Sequence, residues 1–180
     1  MKHQMKDTIA DAFILLAKQK SIDKITVKDL VDHCGISRQS FYYHFQDILD
    51  VIEWHTLRVG REITQQVQQA ATLDEAIDIL SAAYIAHHAL LEKLRDSQKR
   101  NFVERLVMES MQERFGELVR NSSASSDLTV AETDALIRFF SFGLAGLMAS
   151  SCYNREISVG ELSAQIRMVF RRLTPDHPEF

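Results

Sequence analysis

The sequence predicts an all-α protein: a three-helix, helix-turn-helix module at the N-terminus followed by a longer helical domain. Three observations predict it. Breakers are scarce, with only 2 Pro and 6 Gly in 180 residues. Most segments show apolar residues at helical spacing, and capping pairs recur where each new segment opens. A chain that is 46% hydrophobic and 26% charged can also bury a core.

The first helix is expected over about Lys6 to Lys18, with Ile9, Phe13 and Leu16 on one face. Ser21-Ile22-Asp23-Lys24 interrupts it as a polar loop. Thr26 caps a second helix, Asp29 completes a capping-box pair, and Val27, Leu30, Val31 and Cys34 point inward. Gly35 ends that helix because glycine readily takes positive φ. Ser37 recaps at once, and a short third helix runs from Arg38 to about His44. Two helices of about eight residues around Gly35-Ile36-Ser37 are what a helix-turn-helix requires. Ile36 fills the angle between them, and Phe41 and Phe45 anchor the third helix.

Longer helices follow. They are expected at about Asp47 to Gln69, from a Thr72–Glu75 cap through Leu94, at Gln98 to Arg120, at Val130 to Cys152 and at Val159 to Leu173. Further caps stand at Thr129–Glu132 and Ser158–Glu161, and residues 121–127 form a low-complexity loop. Domain boundaries are set at 1–47 and 48–180.

Charge excludes little. The net charge is −4, yet residues 1–60 hold eight Lys plus Arg against eight Asp plus Glu, so the acidity lies beyond the module. No apolar run reaches the ~18 residues that span a bilayer, and the first residues lack a signal-peptide apolar region. A cytoplasmic protein without membrane attachment is therefore expected. Cys34 and Cys152 are read as reduced thiols. No Gly-rich phosphate loop, nucleophile elbow, HExxH or paired-carboxylate motif is present, so neither catalysis nor a cofactor is expected. His87-His88 does not make a metal site, because neighbours on a helix point about 100° apart. No Cys/His cluster has zinc spacing.

The third helix is the informative segment. Arg38, Gln39, Ser40, Tyr42, Tyr43 and His44 give it donors over most of its length, with no Lys or Glu among them. Tyr and His suit phosphate oxygens, whereas Arg and Gln can bond base edges in a major groove.

These residues resemble the tetracycline-repressor (TetR) family of bacterial regulators. The resemblance rests on Thr26-Val27-x-x-Leu30, Gly35-Ile36-Ser37 and Phe41-Tyr42-Tyr43-His44-Phe45, followed by a helix near Asp47, and covers about residues 6–55. It implies a transcriptional regulator, by expectation a repressor, that binds palindromic double-stranded DNA as a homodimer. Thr26 and Lys28 would touch phosphate, and Ser37 would cap the recognition helix and reach the backbone. Arg38, Gln39 and Ser40 would face bases, with Tyr43 joining them, while Tyr42 and His44 would grip phosphates. Ile48 departs from the pattern, which has Lys there.

The resemblance also assigns dimerisation to the last two helices. The run from Phe139 to Ala149 is apolar nearly all round, and Gly143 and Gly146 permit close approach. The expected interface comprises Phe140, Gly143, Leu144, Leu147, Ile166, Val169 and Phe170. A small-molecule effector would sit among Trp54, His55, Tyr84, His87, His88, Phe102, Met108, Met111, Phe115 and Phe139, although such residues at this spacing also fill ordinary cores. The alternative is a regulator, possible as an activator, that answers to a partner protein instead.

Overall fold

The computed structural model describes residues 2–121, 128–153 and 159–173. Its helices are α1 (Lys2–Gln19), α2 (Val27–Cys34), α3 (Arg38–His44), α4 (Ile48–Gln69), α5 (Leu73–Arg95), α6 (Arg100–Asn121), α7 (Val130–Tyr153) and α8 (Val159–Leu173). Of the loop expected at 121–127, Asn121 closes α6 and residues 122–127 lie outside the described residues, as do the Ser158 cap, the tail beyond Leu173 and the side chains of Cys152 and Phe170.

Local chemistry accounts for the boundaries. Thr26 Oγ1 accepts from the Asp29 N–H at 3.2 Å while Asp29 Oδ2 accepts from the Thr26 N–H at 2.7 Å, closing the capping box of α2. Gly35 ends α2 at φ 65°, ψ 32°, and the Ile36 N–H reaches back to the Val31 carbonyl at 3.1 Å. A side chain there would strain the backbone by roughly 1 kcal/mol or more. Ser37 Oγ accepts from the Ser40 N–H at 3.1 Å and starts α3. Asp47 Oδ1 caps α4 through the N–H groups of Leu49 and Asp50. At α5 the returning carboxylate of Glu75 takes the Ala71 N–H, one residue earlier than a standard box.

Two elements differ from expectation. α1 begins four residues earlier, at Lys2, where the sequence has no apolar stripe to announce a helix. The segment after it is no simple loop: Ile22–Lys24 winds into a 3-10 turn that buries Ile22 to 1% exposure.

The chain divides into two compact units. The first comprises residues 1–59 and 89–106, the second 60–88 and 107–180, so α4, α5 and α6 each contribute to both. The boundary expected at 47/48 falls inside the first unit. That unit's core is built on Ile9, Phe13, Ile22, Leu30, Phe41 and Val51, each no more than 2% exposed. Burying each such side chain contributes about 1.5–3 kcal/mol.

In the second unit Ile77, Tyr84, Ile137, Leu162 and Ile166 are buried. α8 is pinned to α5 by a Ser163–Ser81 hydroxyl bond of 2.7 Å and by Arg167 on Asp74 (2.9 Å) and Asp78. α4 passes α6 closely, since a Cβ added at Gly60 would stand 2.7 Å from Ser110 Oγ. Ser110 is 6% exposed and has little room to yield. Gly60→Ala should therefore destabilise the protein, because overpacking costs about 1–3 kcal/mol against a helix-propensity gain of about 1. In a Ser110→Ala background the same change should become stabilising. Urea midpoints of the four proteins check this reversal of sign.

Candidate nucleic-acid interface

α3 is seven residues long, too short to persist alone. It is held by the Ser37 cap and by two aromatic anchors, Phe41 at 0% and Phe45 at 3% exposure, whose ring centroids lie 6.0 Å apart. Everything else on it faces outward or lies at the rim. Arg38 and Gln39 are exposed at the N-terminal end, and Ser40 is half-buried. Tyr42 and Tyr43 are 57% and 69% exposed. Tyr42 stands edge-on to Phe41 at 5.4 Å, and Tyr43 edge-on to a half-buried His44 at 5.0 Å.

The start of α2 adds Thr26 and Lys28. Thr26 Oγ1 also donates to Asp29 Oδ2 at 2.7 Å, which commits the hydroxyl proton inside the protein. The exposed Lys28 is left as the cation of that turn. Asp29 is itself paired with Lys20 at 2.7 Å. The Lys20 ammonium, then the Thr26 hydroxyl and N–H, hold the Asp29 carboxyl well below the usual range. At α4 the half-buried Ile48 follows Asp47, whose carboxylate already occupies the first N–H groups, so an approaching phosphate meets negative charge there.

The side chains expected to line an effector pocket are distributed over the two units. Trp54, His55 and Phe102 belong to the first unit; Tyr84, His87, His88, Met108, Met111, Phe115 and Phe139 belong to the second. Trp54 is a strut of the helix-turn-helix unit. Its indole N–H donates to Asp7 at 2.9 Å, and the Lys6 ammonium lies 4.4 Å from its ring centroid and 5.0 Å from that of Phe45. Arg58, within 3.4 Å of the buried His55, spans Asp7 and Asp11 on α1. The sequence carried a signal for this seam: acids at i, i+4 on one helix and Trp54 and Arg58 at i, i+4 on another. A shallow cavity of about 200 Å³ beside it is lined by Lys6, Phe45, Asp50, Glu53, Trp54 and Leu57.

In the second unit His88 stands edge-on to Tyr84 at 5.3 Å. Burial pushes the His87 imidazole below its ordinary pKa, against an upward pull from Glu62. Met108, Met111 and Phe115 are half-buried. Phe139, expected inside a pocket, is 64% exposed, whereas Phe140, expected on a dimer face, packs against Phe115 at 5.6 Å. Ile166, also expected on the dimer face, is 3% exposed and belongs to the core of its own unit, while Met168 is 59% exposed. Gly143 is exposed, and Leu144, Leu147 and Val169 are half-buried.

Among the described residues no group of three or more His, Cys, Asp or Glu could hold a metal ion. Nor is any helix there long and apolar enough to cross a membrane.

A capped two-helix turn that presents a donor-rich third helix defines a helix-turn-helix DNA-binding protein, and the chain is a DNA-binding transcriptional regulator. Residues 9–53 match the profile of the bacterial regulatory proteins of the tetR family, and the N-terminal module belongs to that family. No curated protein matches the sequence at a significant level. The fold is similar over nearly its whole length to that of solved structures that include the following two. One is a dihydroxyacetone kinase operon activator, DhaS, with a TM-score of 0.70 at 18% identity, covering 97% of this chain and 98% of that one. The other is a TetR transcriptional regulator from Rhodococcus sp. RHA1, with a TM-score of 0.62 at 13% identity, covering 98% and 99%.

The Asp29 shift has a consequence for acid stability. A carboxyl whose folded pKa is depressed stabilises fully above its unfolded value of about 3.9 and loses that contribution as pH falls through the lower folded value. Stability below about pH 4 should therefore fall less steeply in Asp29→Asn than in the wild type. Urea midpoints across the acid range measure the two slopes; equal slopes would remove Asp29 from the account.

Proposed function

We propose that the protein is a cytoplasmic, sequence-specific repressor that binds a palindromic operator as a two-fold dimer and is released by a small-molecule effector in its C-terminal domain. The observation that carries the DNA reading is the exposure of Arg38, Gln39, Tyr42 and Tyr43 on a helix anchored by a wholly buried Phe41. Residues 1–47 form the reading domain and residues 48–180 the dimerisation and effector domain. Thr26, Lys28, Ser37, Tyr42 and His44 serve the phosphate backbone, with Lys28 favoured over Thr26 because the Thr26 proton is engaged. Arg38, Gln39, Ser40 and Tyr43 serve the bases.

The dimer reading is supported by α7. Leu136, Phe139, Phe142, Gly143 and Gly146 fall on one face of the helix, and all five are exposed. Mid-helix glycine costs about 1 kcal/mol relative to alanine. Among the described residues, nothing beyond the helix's own backbone and the chain neighbours lies within 4 Å of a Cβ placed at Gly143 or Gly146, so no other neighbour there requires them to be glycine. Close approach of a second α7 does, and a two-fold axis brings the same face to both copies. Phe139, Phe142 and Met168 then join Gly143 in the interface, flanked by Phe140, Leu144, Leu147 and Val169.

The effector reading is supported by Ser141. It is 2% exposed, its hydroxyl has no hydrogen-bond partner among the described residues, and it follows the Phe115–Phe140 pair. An unsatisfied buried hydroxyl costs about 1–3 kcal/mol, which a polar ligand group can recover. Ser141, Tyr84, His87, His88, Met108, Met111 and Phe115 are the side chains of the second unit that such a ligand would meet. A second reading is an activator controlled by a partner protein; the fold's likeness to an operon activator favours the activator part of it. Thermal shift against metabolite pools, beside transcription from the regulated promoter, separates the two.

Gly143→Arg should leave the subunit folded, since the site is open, yet sediment as a monomer with operator binding abolished. A wild-type protein that sediments as a monomer at micromolar concentration would refute the dimer.

Base and phosphate roles separate in a selection experiment. Gln39→Ala should relax preference at one or two base pairs per half-site, each bidentate contact discriminating by about 1–3 kcal/mol. Tyr42→Phe should weaken binding to every sequence alike, because a lost phosphate bond carries no base information. Selection from random duplexes with each variant reads this directly, and the reverse pattern would exchange the two assignments.

A further inference from the structure

The cavity beside the α1–α4 seam is lined largely by one face of a helix. Asp50, Glu53, Trp54 and Leu57 stand at i, i+3, i+4 and i+7 on α4, and Phe45 and Lys6 close it. All six belong to the first unit, and none is among the side chains assigned above to an effector. Trp54 and Phe45 supply the rings. The indole is fixed in place by its N–H bond to Asp7 at 2.9 Å. The Lys6 ammonium lies over both rings, 4.4 Å and 5.0 Å from their centroids, where the electron-rich faces attract a cation. Among the described residues Lys6 makes no ion pair with a carboxylate. Asp50 accepts the Gln46 N–H through one oxygen at 2.8 Å. The exposed Glu53 has no hydrogen bond or ion pair among the described residues. The lining therefore sets two carboxylates against one ammonium, with two rings and Leu57 beside them.

We propose that this cavity is a binding site for a small alkylammonium ion, whose head displaces that of Lys6 and whose apolar stem lies along Trp54 and Leu57. A lysine side chain is a butylammonium ion tethered to the backbone, so the site already holds the chemistry it takes from solution. An anion meets Asp50 and Glu53 and is repelled. A hard divalent metal takes about six or more oxygen ligands, which two carboxylates do not furnish. An alkylammonium ion uses every part of the lining: rings and carboxylates for its charge, Leu57 for its stem. The volume of about 200 Å³ corresponds to roughly seven waters, room for an amine of about that many heavy atoms. The displaced Lys6 head loses little, because its flexible stem lets the ammonium turn out into water.

The test uses full-length, isotope-labelled protein and three probes of one size: n-butylammonium chloride, n-butanol and sodium butyrate. Potassium chloride keeps the ionic strength constant. Butylammonium should shift the Trp54 indole N–H signal and the amide signals of Lys6 and Phe45 along a saturating curve. Butanol should bind about fivefold more weakly or worse, and butyrate should give no saturable shift. Lys6→Met, which keeps the stem and removes the competing ammonium, should bind butylammonium about fivefold more tightly. Asp50→Asn/Glu53→Gln should weaken butylammonium about tenfold and leave butanol unchanged. Glu53 is exposed, so Glu53→Gln alone carries the same reading if the double variant does not fold. Equal affinity for butylammonium and butanol, no gain in Lys6→Met, or shifts confined to residues 60–88 and 107–180 would overturn the proposal.

Discussion

Phe41 enters the core from the one side of α3 that is not polar, and its complete burial decides where the rest of that helix points. With Phe41 and Phe45 fixed, Arg38 and Gln39 have no direction left but outward, and Tyr42 and Tyr43 cannot fold back without displacing the anchor. The same side chain sets the turn before it, because α2 must approach through Gly35 at an angle that leaves the ring room. Emptying such a site costs about 3–5 kcal/mol, a large share of the 5–15 kcal/mol that holds a small domain together. Recognition chemistry and core packing are therefore two faces of one short helix, and the packed face governs the other.

What the sequence disclosed follows a physical boundary. Thr26, Ser37 and Thr129 were readable as caps because a cap is closed within four residues and needs no distant partner. Gly35 was readable because its backbone angle is a local necessity. Trp54 was not: helical spacing places it on an inward side of α4 but cannot tell a ligand pocket from Asp7 on α1, 47 residues away. Phe139 and Phe140 show the same limit at closer range. Where a helix is apolar on nearly every side, periodicity loses its contrast, and only the neighbouring elements decide which of two adjacent rings stays outside. Ile166 and Met168, two residues apart on α8, divide in the same way between core and surface. The start of α1 was hidden for the opposite reason, since Lys2 to Met5 offer no apolar stripe to detect.

Seams made by charged side chains carry much of the tertiary specificity of this fold. α1 meets α4 through Asp7, Asp11 and Arg58, α8 meets α5 through Arg167, and the α5–α6 corner meets α1 through Lys93. Exposed ion pairs add little stability, with a median of about 0–1 kcal/mol. Their value here is registry: each aligns two helices whose apolar contacts would accept several offsets. Burial supplies the cohesion, and the charges choose among the packings that burial allows.

Trp54 is the only tryptophan in the chain. Its indole lies between an ammonium at Lys6 and a carboxylate at Asp7, on the seam that joins the first helix to the fourth. Excitation at the red edge of the protein's absorption therefore addresses a single chromophore, and that chromophore is held in the electric field of two opposite charges. Indole emission shifts with such a field, so any event that parts α1 from α4 alters its colour. The molecule carries its own optical gauge of the reading head, without a label and without interference from the C-terminal helices.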